Sequence, residues 1–175
     1  VSGVRHLWIA RHAEANSDES GLSAAGEEQA RLLGERLSAV PFAAIGHSPL
    51  PRAVRTAAIV AEHLPGVPVQ AADELDDRFP ADDPVASAAM IARFTGPAEV
   101  ERHELVITHA FQVAWFVRDA LETPESRWRD VIPANTGLTV IRYFPRGRTR
   151  VIVFNDLSHL PPALRWTGSP PELRL

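Results

Sequence analysis

His6-Leu7-Trp8-Ile9-Ala10-Arg11-His12-Ala13-Glu14 passes from an apolar run straight into charged and titratable side chains. His6 to Ala10 suits a strand buried on both faces, which reads as a continuous apolar run rather than an alternation. Working outward, Arg11 to Gly21 is polar and Gly-bearing, and Ser23 stands where a helix N-cap belongs. Ala30, Leu33, Leu37 and Val40 recur on one helical face, and Pro41 stops that helix. Phe42 to Gly46 reads as a second strand. Ser48-Pro49-Leu50-Pro51 is a turn, and Ala57, Val60, Ala61 and Leu64 mark a second helix that Pro65-Gly66 ends. Val67 to Ala71 is expected as an edge strand, because Pro68 lacks the donor that a central strand needs.

Glu74 to Pro84 is acidic and interrupted by proline, so a loop is expected, with a small helix over Val85 to Phe94. Leu105 to Thr108 is the clearest strand, followed by a helix through Val113, Phe116, Val117 and Ala120. Leu138 to Phe144 and Thr149 to Phe154 read as a hairpin turning over Pro145-Arg146-Gly147-Arg148. The Pro-rich tail, 161–175, is expected to be irregular. This order implies an α/β fold: a three-layer α/β/α sandwich with a mainly parallel central sheet and right-handed crossovers. One domain is expected over 1–175.

The 175 residues are 45% hydrophobic and 23% charged, an ordinary globular balance. No run approaches the roughly 18 apolar residues of a membrane span. Val1 to Ala10 lacks the regions of a secretory signal. There is no cysteine, which excludes disulfide scaffolds and Cys nucleophiles, and a cytoplasmic location is the expectation. Net charge is −4, and all 18 basic residues are arginine. The acidic balance argues against nucleic-acid and polybasic membrane partners. Nothing in the sequence specifies an oligomeric state; Trp8, Trp115, Trp128 and Trp166 are core candidates or interface markers.

Chemistry collects at the strand ends. Arg11 and His12 follow the first strand, Arg52 follows the second across one turn, and His109 follows the Leu105–Thr108 strand. Ligands in such sheets bind beyond the C-terminal strand ends. Two guanidiniums beside a helix N-terminus form an anion site well matched to phosphate. With no Cys or Lys, histidine is the natural nucleophile.

These residues also carry a resemblance. Arg11-His12-Ala13-Glu14 resembles the Arg-His-Gly-Glu signature of the histidine phosphatase superfamily, the phosphoglycerate mutase-like fold. Leu22-Ser23-Ala24-Ala25-Gly26-Glu27-Glu28-Gln29-Ala30 is similar to its Leu-Thr-x-x-Gly-x-x-Gln-Ala helix opening. Ser48 to Ala53, with Thr56-Ala57, resembles its Ser-x-Leu-x-Arg-Ala-x-x-Thr-Ala segment. Val106-Ile107-Thr108-His109-Ala110 resembles its second-histidine strand end, and Asn155-Asp156-Leu157-Ser158-His159-Leu160 its Asn-Asp-x-x-His-Leu.

The resemblance implies a metal-independent phosphomonoesterase with no cofactor, acting on a phosphorylated small molecule or phosphoprotein. His12 would form a phosphohistidine, while Arg11, Arg52 and His109 hold the phosphoryl oxygens. Ala110, Asn16 and Phe111 are further binding candidates; Phe111 would narrow the pocket or favour an apolar leaving group, or else pack the helix. Alignment on Leu75 puts Asp77 at the general-acid position, with Asp76 and Glu74 as rivals. Ala13 stands where the family has glycine and would tighten the nucleophile loop. Glu14 is expected near the pocket, and His47 and His159 are expected to be structural.

Only 32 positions separate Asp77 from His109. Phosphoglycerate mutases carry a long insertion there, so the short segment implies an open pocket and favours hydrolysis. Leu75 to Pro80 also resembles the Leu-x-Glu-Gly-x-Pro loop of the superfamily's protein Ser/Thr phosphatases. The alternatives are a phosphate-recognition module with weak or no turnover, mutase-type phosphotransfer and a His-rich metal hydrolase. The last is disfavoured because no two histidines stand at a close metal-binding spacing.

Overall fold

The structure is a computed structural model that describes residues 3–174; the end residues of the expected 1–175 domain and of the tail, 161–175, lie outside the described residues. Six strands form one sheet: β1 (Arg5–Arg11), β2 (Phe42–His47), β3 (Val69–Ala71), β4 (Arg102–Thr108), β5 (Leu138–Phe144) and β6 (Arg148–Asp156). Their order is β3-β2-β4-β1-β5-β6. The β1–β4, β2–β4 and β2–β3 pairs are parallel, while β1–β5 and β5–β6 are antiparallel. Among the described residues, four α-helices complete the fold: α1 (Ala24–Leu37), α2 (Pro51–Glu62), α3 (Pro84–Phe94) and α4 (Ala110–Ala120).

The apolar run sits in β1 because β1 is central and covered on both faces. Leu7 and Ile9 face the side carrying α3 and α4, where Met90, Val113 and Phe116 pack. Ala10 faces the other side, against Leu33 and Leu37 of α1 and Ala53, Ala57 and Val60 of α2. This is the expected three-layer arrangement. Leu7, Ile9, Leu33 and Phe116 are each 0% exposed, and burial of each such side chain stabilises the fold by about 1.5–3 kcal/mol.

The expected elements appear with shifted edges. β4 begins at Arg102, three residues before the apolar signal, because Glu104 is paired there with Arg5 and Arg102. β3 covers only Val69–Ala71, at the sheet edge. The acidic loop contains one short turn at Asp73–Leu75. α1 starts where expected: the Ser23 hydroxyl accepts from Gly26 N, a cap that stabilises by about 1 kcal/mol. The β5–β6 turn uses Arg146 (φ 69°) and Gly147 (φ 75°). Among its described residues the tail holds only two short 3-10 turns, at Pro162–Leu164 and Pro171–Leu173, and is anchored by buried Trp166 and Ser169. Trp115 and Trp128 are buried too.

Strand register aligns three chain ends. Arg11 of β1 pairs with Thr108 of β4, and Ile107 pairs with His47 of β2. The residues following β1, β2 and β4 therefore emerge at one edge of the sheet. The loop entering β5 arrives at the same edge, because Ala10 pairs with Leu138.

Candidate active site

His12 follows β1 directly, and its backbone N–H donates to Thr108 O (2.8 Å), fixing it beside His109. Its Nδ1 lies 2.7 Å from Ala13 O. A carbonyl only accepts, so Nδ1 carries the proton and Nε2 keeps its lone pair. Arg52 Nε donates to that Nε2 (3.2 Å). His12 is 6% exposed. Burial, followed by the charges of Arg11 and Arg52, pushes it down to about 3, against the opposing Ala13 hydrogen bond. The imidazole is thus neutral across the physiological range.

Three contacts build the loop behind this ring. Ala13 N donates to Thr56 Oγ1 (3.0 Å), whose hydroxyl donates to Arg52 O (2.7 Å), tying the loop to α2. Glu14 N donates to Gln29 Oε1 (2.9 Å), and Gln29 Nε2 donates to Leu164 O and Thr167 Oγ1, both at 2.9 Å. Asn135 Nδ2 donates to His12 O (2.9 Å) from the loop before β5. The Ala13 methyl is 0% exposed, packed with Ala30 and Ile59.

Arg52, second residue of α2, is 7% exposed. Besides contacting His12, its Nη2 donates to Asp77 Oδ2 (2.6 Å) and its Nη1 reaches Glu19 Oε2 (3.4 Å). Arg11 sends Nη1 to Pro133 O (3.1 Å), while its buried Nε has no partner among the described residues. Burial is the main cause lowering Arg11 from its ordinary value.

His109 caps the N-terminus of α4. Its ring lies 5.1 Å from that of His12, centre to centre. Its Nε2 is 2.7 Å from Ser48 Oγ, which itself accepts from Leu50 N (3.2 Å). His109 Nδ1 lies 3.6 Å from Asp77 Oδ2 and has no hydrogen-bond partner among the described residues. Burial, with His12, Arg52 and Arg11, lowers His109 to about 2.

The three candidate carboxylates separate clearly. Glu74 pairs with Arg93 (2.8 Å) on α3. Asp76 accepts from Asp77 N and lies 3.5 Å from Arg78. Asp77 alone of the three reaches Arg52 and His109. Its loop is clamped on both sides: Thr108 Oγ1 donates to Leu75 O (2.7 Å) and Gln112 Nε2 to Arg78 O (2.8 Å). Burial raises Asp77 above its ordinary value, opposed by Arg52 and Arg11.

Arg11, His12, Arg52, Asp77 and Asn135 line a cavity of about 300 Å³. Asn16 also lines it, but its amide is consumed within its own loop: Oδ1 accepts from Gly21 N and Nδ2 donates to Ser20 Oγ. Ala110 is the first residue of α4. Phe111 is turned to an aromatic cluster, 4.6 Å from the Phe79 ring and 5.3 Å from that of Trp128. His47 Nδ1 bonds to Ser48 O (2.9 Å) and His159 Nε2 to Thr136 Oγ1 (3.2 Å), both structural contacts. Sequence reasoning missed Asn135 and Glu19. Pro133-Ala134-Asn135-Thr136-Gly137 was the available signal, a turn cluster entering a strand beside the first one.

The sequence holds no two histidines at a close metal-binding spacing, but the fold brings one distant pair together. His6 and His103 are register partners on β1 and β4, and with Glu101 they offer ligand atoms within 4.8 Å of one another. Their rings stack in parallel, 4.1 Å apart and 5° between planes. Trp8 Nε1 also donates to His103 Nδ1 (3.1 Å), which leaves that ring's proton on Nε2. One ion cannot lie in two parallel ring planes, so this arrangement is a poor metal centre without rotation.

Residues 7–82 match the model of the histidine phosphatase superfamily (branch 1). The chain is 31% identical over 190 residues to "Serine/threonine-protein phosphatase PGAM5, mitochondrial" of Rattus norvegicus, covering 93% of this chain. It spans 66% of that relative's length. Among solved structures, a putative alpha-ribazole-5'-P phosphatase from Escherichia coli superposes with a TM-score of 0.73 at 21% identity, covering 87% of this chain and 97% of that one. Phosphoglycerate mutase from Plasmodium falciparum gives 0.70 at 23% identity, with 91% and 95% covered. The cytoplasmic expectation is overturned, since the rat, mouse and human relatives are all named mitochondrial. Cysteine content could not have decided it, because reducing compartments are not confined to the cytosol. Among the described residues, no helix is long and apolar enough to cross a membrane. The strand-end histidines, the arginine on α2, the family match and the shared fold agree, and the chain belongs to the histidine phosphatase superfamily.

Proposed function

We propose that this chain, acting as one catalytic unit over 1–175, hydrolyses phosphomonoesters through a phosphohistidine on His12. The observation that carries this is the His12 ring: Nδ1 is tied to Ala13 O, and Nε2 is aimed at Arg52 within the cavity. Such a ring is a neutral nucleophile held in one tautomer. In the first step, Nε2 attacks phosphorus as the bond to the leaving oxygen breaks. Asp77, whose burial favours its protonated form, gives its proton to that oxygen. Arg11, Arg52 and His109 Nδ1–H donate to the three phosphoryl oxygens, where charge builds. In the second step, water attacks phosphorus and Asp77 accepts its proton. Inorganic phosphate leaves and His12 is restored.

Several relatives are named as serine/threonine-protein phosphatases, which favours a phosphoprotein substrate. Arg11 and Arg52 supply the positive charge that a metal would supply elsewhere, and neutral His109 adds a hydrogen-bond donor. The test is phosphate release from p-nitrophenyl phosphate and from phosphoserine peptides with EDTA present, wild type beside His12→Ala. Turnover by the wild type alone is expected. Equal turnover by His12→Ala, or loss of wild-type turnover on chelation, would overturn the reading.

A further inference from the structure

The loop between β1 and α1 is built to hold one side chain over the cavity. An antiparallel bridge between Ala15 and Leu22 closes it. Inside, Asn16 N donates to Gly21 O (3.2 Å) and Glu19 N to Asn16 O (3.1 Å). Ser20 donates to Asp18 Oδ1 through both N (3.0 Å) and Oγ (2.6 Å). Together with the Asn16 amide contacts, these bonds hold Glu19 at φ 59°. That conformation is strained for a non-glycine residue, and it persists because the surrounding bonds over-determine it. The result places Glu19 Oε2 3.4 Å from Arg52 Nη1, with the Glu19 side chain 69% exposed and that of Arg52 only 9%.

Arg52 is the cation next to the nucleophile, and a phosphoryl group approaching His12 must take donors from it. Asp77 can yield its donor by accepting a proton, which a phosphate dianion beside it encourages. Glu19, exposed at the cavity mouth, is displaced as a carboxylate left without its arginine partner next to a dianion. Glu14 lines the same cavity; one oxygen accepts from Ser23 Oγ (2.8 Å), and the other has no partner among the described residues. A free anion meets this unpaired charge as repulsion. A phosphoryl group carried beside a cation brings the missing partner.

We propose that Glu19 is a specificity-determining residue: it competes with simple anions for Arg52 and selects a phosphoserine or phosphothreonine flanked by arginine or lysine. This rests on the phosphatase reading above and names its substrate class.

The test uses the full chain and three phosphoserine peptides, alike except for an Arg, Ala or Glu flank, with p-nitrophenyl phosphate as a reporter without peptide charge. In the wild type, kcat/KM should fall in the order Arg, Ala, Glu, and the spread should shrink as salt screens the charges. Glu19→Gln should narrow the Arg-to-Glu ratio roughly two- to five-fold, the range of an exposed ion pair. It should tighten inorganic phosphate binding, read by calorimetry, by a similar factor. Glu19→Gly, which suits the backbone and also removes the carboxylate, should tighten phosphate equally. Equal kcat/KM for the three peptides, a ratio indifferent to Glu19→Gln, or tightening by Glu19→Gly alone would each overturn the proposal. Turnover of p-nitrophenyl phosphate separates the two readings. If it and every peptide stay intact, the phosphatase reading has failed, and the calorimetry still judges Glu19.

Discussion

Gln29 is the hinge between the nucleophile loop, α1 and the tail, and its replacement by methionine has a calculable cost. The side chain is 0% exposed and makes three hydrogen bonds, to Glu14 N, Leu164 O and Thr167 Oγ1. Methionine nearly keeps the volume, so the cavity contribution is small. A typical buried hydrogen bond contributes about 1 kcal/mol net, and a donor left unpaired costs about 1–3 kcal/mol. Three lost bonds therefore predict a destabilisation of about 3 kcal/mol. In a chain of this size, 1 kcal/mol shifts Tm by about 2–4 °C, so a fall of about 6–12 °C is expected. Thermal unfolding followed by circular dichroism measures it. The same variant frees Glu14 N and should lower kcat more than it raises KM, because the His12 loop loses a brace rather than a substrate contact. A Tm loss under about 2 °C with unchanged kcat would refute the claim that Gln29 braces the loop.

Other outcomes follow from the same geometry. Because burial raises Asp77, its proton is present at acidic pH and is lost as pH rises through the raised value; hydrolysis of alkyl phosphates should therefore peak in the acid range. Asp77→Asn should cut that rate by roughly 10²–10⁴-fold; with p-nitrophenyl phosphate it should spare the first step, whose leaving group needs no proton, and slow only hydrolysis of the phosphoenzyme, which a pH–rate series on both substrates and the burst of nitrophenol read. Gly26→Ala should destabilise despite alanine's better helix propensity. The added Cβ would lie 2.1 Å from Glu14 O, and the backbone shift costs about 1–3 kcal/mol, visible as a lowered denaturant midpoint. Arg52→Lys should reduce kcat/KM by roughly 10²–10³-fold, because one ammonium cannot span His12, Asp77 and a phosphoryl oxygen as the guanidinium fork does.

The helices and strands were legible where one local signal governs them. β1 is buried on both faces and reads as an apolar run; α1 carries its cap and its stripe; α2 carries its stripe, although Pro51, read as part of the turn, is its first residue. Arg102 to Glu104 escaped because that end of β4 is polar and held by cross-strand ion pairs, which leave no apolar period. The choice among Glu74, Asp76 and Asp77 could not be read from a run of carboxylates, since it depends on which one the Thr108 and Gln112 clamps turn towards Arg52. Asn135 acts across 123 positions on His12 O, and such a contact leaves no mark in local spacing. Asn16 sits in the expected loop, but it shapes the loop while Glu19 reaches the arginine.

The central claim is that His12 Nε2 takes the phosphoryl group. The most direct test mixes the protein with radiolabelled phosphoester, quenches within one turnover, and maps the label. The account predicts an acid-labile, base-stable phosphoryl group on the peptide containing His12, absent from His12→Ala and accumulating when Asp77→Asn acts on an activated ester. Label on another residue, or multiple turnovers with no phosphoenzyme and full activity in His12→Ala, would contradict it.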